Sequence, residues 1–345
     1  MMKFADETFF KTIRDFLTLY LPKQKCYSAN TVNSYRIALN LFVDYLTGER
    51  GLPLHKLSFK HMSNQTVSEF LDWLQESRRC GSATRNQRLM ALRSFTKYAA
   101  KTDSSKLFLQ IDIKNVETQK APVKIVDFLS EDALKALLAQ PDRNKPIGVR
   151  DSFFMSLMYD TAARCQEMLD LRLKDFEFDN REPFVYLTGK GNKMRTVPLM
   201  DKTVEHFRFY VDMFHPLDTR QNGDLLFFTT IHGRKNQMSP DTVASFMKKY
   251  GEAARLVCQR VPEKVHPHQI RHTRAIHLYR GGIPMALLSE YLGHVSMTTT
   301  KVYAYADTEM KRATIRKADP NNNAVEEPAI WEGNDDLIKK LYGLK

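Results

Sequence analysis

Between residues 102 and 126 (TDSSKLFLQIDIKNVETQKAPVKIV) the chain loses the helical period that governs it on both sides. One continuous helical array is therefore excluded, and the 345 residues must fold as two bodies with a connection between them. The expected division is a helical domain over 1–105, a linker at 106–124, a second domain over 125–318, and a tail at 319–345 carrying a short helix. In the first body, Val32, Tyr35, Leu39, Phe42, Val43 and Leu46 recur at helical spacing over 31–46, after the cap candidates Ser28 and Asn30. Further helices are expected at 66–78 (Val67, Phe70, Leu71, Leu74) and at 82–100 (Leu89, Leu92, Phe95, Ala99). The second body opens at Ser130, whose hydroxyl with Glu131 and Asp132 makes a favourable helix start. A long helix is expected at 147–163, then an alternating segment, FEFDNREPFVYLTGKGNKMRTVPL, whose turns at Asp179-Asn180 and Gly189–Gly191 mark a small antiparallel sheet. Helices return at 239–256 behind Ser239-Pro240, at 267–280 up to Gly281-Gly282, and at 284–292 up to Gly293. The fold class is mainly α with a small antiparallel β-sheet.

At 43% hydrophobic and 27% charged residues the chain can bury a core, which excludes disordered and collagen-like classes. Its net charge of +12 has to be solvated or met by an acidic partner, nucleic acid first. The excess lies in the two bodies: residues 1–120 carry 19 basic and 11 acidic side chains, whereas residues 318–345 carry 3 and 6. Cys26, Cys80, Cys165 and Cys258 never pair as CxxC, so neither a zinc site nor a disulfide framework is expected, and no metal or other cofactor is. With no apolar run near the roughly 18 residues of a membrane span, the expectation is a cytoplasmic protein without a membrane partner.

Four segments of the second body carry chemistry. In Tyr159-Asp-Thr-Ala-Ala-Arg164-Cys-Gln-Glu167 an Arg closes a largely apolar helix with a Glu three residues on, the spacing of an ion pair. In Thr188-Gly-Lys190-Gly-Asn-Lys193-Met-Arg195 a glycine-flanked Lys occupies a hairpin tip with two cations behind it, open either to a phosphate or to solvent. In His266-Pro-His268-Gln-Ile-Arg271-His272, Pro267 starts a helix with His268, Arg271 and His272 on one face. The pair at i, i+4 raises a metal reading, ranked below phosphate binding because no carboxylate or Cys ligand stands nearby. Finally, Leu292-Gly-His294 is followed nine residues later by Tyr303.

Together and in this order the four supply a phosphoryl-transfer site. Two arginines can clamp the non-bridging oxygens bidentately, and a histidine can support them. A phenol with a reference pKa of about 10 needs a base and a positive field to attack, and the leaving oxygen needs a proton.

The chain resembles the tyrosine recombinases of the phage-integrase family. That family's pattern places an Arg in T-G-x-R-x-x-E, a Lys in G-K-G-x-K-x-R-x-V-P-L, then H-x-x-R-H, L-G-H and a nucleophilic Tyr. It is met at Arg164 with Glu167, Lys190, His268 with Arg271 and His272, His294 and Tyr303. The front half, Asn30-Thr-Val-Asn-Ser-Tyr-Arg36 and Ser82–Leu89 with Leu92, Arg93 and Phe95, resembles the helical SAM-like core-binding domain. Ala162 stands where Gly is usual, a departure that adds a methyl, and Tyr305 is a second tyrosine turned roughly 200° from Tyr303 on a helix.

The resemblance implies a site-specific DNA recombinase in which Tyr303 forms a 3′-phosphotyrosyl bond on the way to a Holliday junction. It implies that Arg164, Arg271 and His294 stabilise the transition state, Lys190 acts as general acid, and His268 as base or hydrogen-bond partner. Glu167 and His272 would hold these groups in place. Arg85, Asn86, Arg88, Lys97, Lys193 and Arg195 would contact DNA, although the cations of 85–97 equally fit the solvated back of an amphipathic helix. The implied partners are double-stranded recombination sites, a homotetramer, and accessory or partner recombinases. The 334–344 segment would pack on its own domain or on a neighbour. Because the front domain starts near residue 1, no arm-binding domain of the lambda type is expected, which favours an Xer-like or transposon-borne enzyme. A type IB topoisomerase-like nicking-closing enzyme and a non-catalytic DNA-binding regulator are the competing readings.

Overall fold

Caps and apolar spacing decide where the helices of this chain begin and end. The computed structural model describes residues 6–120, 126–178, 182–189, 191–294, 299–300, 302–303 and 335–343. The chain divides into two units, Met1–Val123 and Lys124–Lys345, each with its own apolar core.

In the first unit, helices α1 (Glu7–Asp15), α2 (Ala29–Gly48) and α3 (Asn64–Glu76) start at Asp6, Ser28 and Ser63, each of which accepts a backbone N–H from the first turn. Helix α1 runs on into a π-helical stretch, Phe16–Gln24, and α4 (Ser82–Thr102) and α5 (Leu107–Lys114) complete the unit. The three expected helices are α2, α3 and α4. Phe95 of α4 anchors the core, its ring within 6.3 Å of Phe9, 5.5 Å of Phe16 and 6.1 Å of Phe59.

The expected linker is corrected: α5 lies inside it and belongs to the first unit. It has eight residues and buries Ile113 while Leu107, Phe108 and Ile111 stay exposed, so it shows no apolar stripe. Side chains hold its backbone instead. Arg93 donates to the carbonyls of Ile113, Lys114 and Val116, Arg85 to Glu117, and Asn86 exchanges two bonds with the Gln119 backbone. Asp112 accepts from the Asn64 amide at the start of α3.

The second unit begins with α6 (Glu131–Leu138), capped by Ser130 as expected, and α7 (Pro146–Thr161), buried nearly all round. After the short α8 (Cys165–Asp170) comes an antiparallel sheet of β1 (Phe176–Glu177), β2 (Phe184–Thr188) and β3 (Met194–Pro198) in that order. Thr188 pairs with Met194 at the mouth of the β2–β3 turn. Helix α8, a further helix and a second hairpin were not anticipated. Helix α9 (Asp201–Phe214) exposes Phe209 and Met213 beside its buried stripe, which blurs its period. The hairpin of β4 (Phe228–Ile231) and β5 (Arg234–Gln237) is exposed along β5 and turns on His232-Gly233, both at positive φ. Then follow α10 (Pro240–Val257) behind its Ser239 cap, α11 (Pro267–Arg280) and α12 (Met285–Leu292), close to their expected bounds. In the tail, α13 spans Asp335–Leu341. The expected Asp179-Asn180 turn lies outside the described residues. None of the described helices is long and apolar enough to cross a membrane.

Since Arg93 caps three carbonyls at the end of α5, Arg93→Ala should destabilise the first unit by about 1–3 kcal/mol in a denaturant melt. Amide exchange over 107–116 should accelerate; unchanged protection there would show that α5 is held by other means.

Candidate active site

The site is assembled at the end of α12. Gly293 stops this helix in the left-handed conformation (φ +61), where an L side chain is strained, and a Cβ there would stand 3.0 Å from the Arg195 guanidinium. The Gly293 and His294 amides return to the carbonyls of Glu290 and Ser289, a Schellman-type ending. The next three carbonyls each accept from a different arginine: Tyr291 from Arg195 Nε at 2.9 Å, Leu292 from Arg271 Nη2 at 2.5 Å, and Gly293 from Arg164 Nη2 at 3.2 Å. Cations at a helix C-terminus meet both the orphan carbonyls and the negative end of the dipole.

The same three arginines surround one carboxylate. Glu167, in the first turn of α8, accepts Arg164 Nη1 at 2.6 Å, Arg195 Nη1 and Nη2 at 3.1 and 2.8 Å, and the Arg164 amide at 2.8 Å. Arg271 Nη1 lies 4.0 Å from it. Burial opposes the charge of Glu167, yet hydrogen bonds and charge from Arg195, with bonds from Arg164, hold its pKa at about 2. The surface ion pair suggested by the Arg164/Glu167 spacing is thus a buried hub. Arg195, expected to contact DNA, is committed to it and is only 10% exposed.

Local sequence explains each approach. Thr161 donates to Leu157 and accepts from the Ala163 amide, closing α7 just before Ala162 takes a left-handed conformation at φ +47. This turns the Ala162 carbonyl onto Arg271 Nη1 at 2.6 Å. Ala162 therefore does more than add a methyl, since the turn that glycine adopts freely strains an L residue by about 1–2 kcal/mol. Gly189, one of the glycines at the hairpin tip, lets the β2–β3 turn approach the hub: a Cβ there would lie 3.0 Å from Glu167 Oε1. Lys190 and Tyr305 lie outside the described residues, and Lys193 is exposed.

On α11, His266 caps the helix through the Gln269 amide and Pro267 takes the first turn. Arg271 is 3% exposed, and burial among Arg164 and Arg195 lowers its pKa to about 10, still charged at neutral pH. Tyr303, 1% exposed, packs among Ala162, Ala275, Ile276, Leu288 and Leu292. Its hydroxyl is 2.9 Å from His272 Nδ1, so the imidazole that meets the phenol is His272, for which a supporting role was expected, and not His268. The His268 and His272 rings are 6.3 Å apart. His294 stacks near-parallel on Tyr303 at 6.5 Å, and its Nδ1 pairs with Thr300, a contact that no spacing in the sequence announced.

Burial first, and then the cations, push all three imidazoles down, His272 and His294 to about 4 and His268 below its usual range. Burial raises the Tyr303 pKa, against the fields of Arg271 and Arg164. A cavity of about 1260 Å³ reaches Arg164 and His294 and is lined also by Lys193, Arg195 and Thr299. Among the described residues, no three His, Cys, Asp or Glu side chains are grouped to hold a metal ion. In the first unit Arg85 is buried and Asn86 and Arg88 are half-buried, bonded to Glu117, Gln119 and Ser34, while Lys97 is exposed.

This geometry coincides with clear relatedness. The phage integrase family matches residues 127–310, and the phage integrase N-terminal SAM-like domain matches residues 13–103. Tyrosine recombinase XerD of Staphylococcus epidermidis is 31% identical over 310 residues, covering 88% of this chain and 96% of the relative. Among solved structures, XerH recombinase in a post-cleavage complex with its difH substrate has a TM-score of 0.66 at 22% identity, covering 92% of this chain and 90% of that one. Lambda integrase, as a tetramer on a Holliday junction, has a TM-score of 0.62 at 15% identity, covering 85% and 76%. The chain belongs to the phage integrase family and is a tyrosine-type site-specific DNA recombinase.

Proposed function

We propose that Tyr303 is the nucleophile of this recombinase and that Arg164 and Arg271 grip the scissile phosphate. The observation that carries the reading is the convergence of two arginines, His294 and a buried phenol at one helix end. Each of Arg164 and Arg271 directs one bond from each terminal nitrogen to the protein, which leaves the second N–H of each to meet phosphate oxygens. Arg195 is engaged through all three nitrogens and acts as a brace.

In this reading His294 and His268 support the phosphate by hydrogen bonding, and Lys190 protonates the leaving 5′-oxygen. The phosphotyrosine conserves the bond energy, so no metal or other cofactor is needed. The substrate is double-stranded DNA carrying recombination sites, bound by a homotetramer, as the lambda integrase complex suggests for a protein of this fold. High coverage of XerD along its own length supports an Xer-like role in a cytoplasmic setting. Lys97 and Lys193 are solvent-facing candidates for backbone contacts, with an accordingly salt-sensitive affinity.

Tyr303→Phe should bind site DNA as the parent does while trapping no covalent complex on a nicked suicide substrate; covalent trapping by this variant would remove the assignment. Glu167 supplies a second prediction. Its carboxyl is held at about 2 in the folded chain, below its unfolded value, so its stabilisation of ~3 kcal/mol is fully present above about pH 4.5 and is lost as pH falls towards 2. Glu167→Gln should abolish that part of the acid-induced drop in melting temperature and lower stability at pH 7. An unchanged acid profile would show that the hub is not the linked group.

A further inference from the structure

We infer that His272, and not His268, accepts the proton of Tyr303 during strand cleavage, and that the bound phosphate is what makes the transfer favourable. The inference rests on the assignment of Tyr303 as nucleophile. Its geometric basis is the 2.9 Å approach of the phenol oxygen of buried Tyr303 to Nδ1 of half-buried His272. Among the described residues no other acceptor reaches that hydroxyl, so the phenol donates and the neutral imidazole carries its own proton on Nε2.

The groups facing His272 disfavour its protonation in the free chain. His266, His268 and Arg271 of α11 and its cap, together with His294 beyond α12, form a largely cationic or neutral surround, and Asp127 ahead of α6 is the acid among them. With the imidazole near 4 and the phenol raised by burial, a proton moved to Nδ1 would create an imidazolium beside Arg271. The resting hydrogen bond therefore stores the nucleophile in protonated form. A phosphodiester gripped by Arg271 and Arg164 brings a negative charge into this field and favours the protonated imidazole.

The step balances. The phenol O–H bond breaks, its proton passes to His272 Nδ1, and the freed electron pair forms the bond from oxygen to phosphorus. The bond to the 5′-oxygen breaks, and that oxygen takes a proton from the general acid. In ligation the His272 imidazolium returns its proton to the departing phenolate.

The test is single-turnover cleavage of a nicked suicide substrate from pH 5 to pH 10. His272→Asn places an amide oxygen where Nδ1 stood, accepting the same hydrogen bond without being able to take the proton. It should bind DNA normally, cleave about 10²-fold or more slowly at pH 7, and gain about tenfold per pH unit as hydroxide replaces the base. His268→Asn should slow the reaction but keep the parental plateau. A His272→Asn enzyme with the parental plateau, or loss of the plateau in His268→Asn instead, overturns the inference. So that the result does not depend on the fold of that variant, the His272 imidazole is also titrated by NMR in Tyr303→Phe protein, where its pKa should rise on binding site DNA. An unmoved or lowered value overturns the inference equally. Covalent trapping by Tyr303→Phe would overturn the nucleophile assignment itself, which separates the two failures.

Discussion

Three guanidinium groups share one buried carboxylate and one helix end, and the second unit is organised around that arrangement. Each arginine brings a charge that is costly to remove from water, and Glu167 neutralises only one of them. The remainder is met by the last carbonyls of α12, which any helix leaves without intrahelical partners. This solution joins four distant stretches of chain: the α7–α8 turn with Arg164, strand β3 with Arg195, helix α11 with Arg271, and the α12 ending. Removing Glu167 would leave like charges facing one another at close range.

The backbone bends around this hub where glycine or strain permits. Gly293 is required twice, by its positive φ and by the approach of Arg195. Gly189 is required once, by the closeness of Glu167. Ala162 tolerates a left-handed turn because its carbonyl is engaged by Arg271 and its methyl is buried against the tyrosine cluster.

The sequence disclosed the chemistry more fully than the partners. The boxes around Arg164, Arg271, His294 and Tyr303 were readable because residue type and spacing both constrain them, and the helices with hydroxyl caps or terminal glycines fell close to their expected bounds. Charge alone misled. Arg195 and Arg85 read as surface cations, yet one braces the hub and the other is buried against the 117–119 segment, because a sequence shows a guanidinium but not the carbonyls that will receive it. Helix α5 was hidden for a similar reason: its stability comes from side chains of α4 reaching its backbone, which leaves no apolar period to detect. Which histidine of α11 meets the Tyr303 hydroxyl was equally illegible, since His268 and His272 lie on one face and only the position of Tyr303 distinguishes them.

The distribution of hydrogen bonds among the arginines separates one that is fully engaged by the protein from two that keep free donors. Arg195 has spent Nε and both terminal nitrogens on Glu167 and Tyr291, so it can fix geometry but has little left to offer a ligand. Arg164 and Arg271 each hold the protein with one bond per terminal nitrogen, so their orientation is set before any phosphate arrives. That preorganisation is what a transition state with dispersed charge requires, because donors that need not reorient cost nothing at the moment of reaction. It also explains how a site with three neutral imidazoles and an excess of cations can persist in the folded chain. Burial keeps the imidazoles uncharged, the carbonyls absorb the field of the arginines, and in the proposed reading the remaining negative charge is brought by the DNA phosphate.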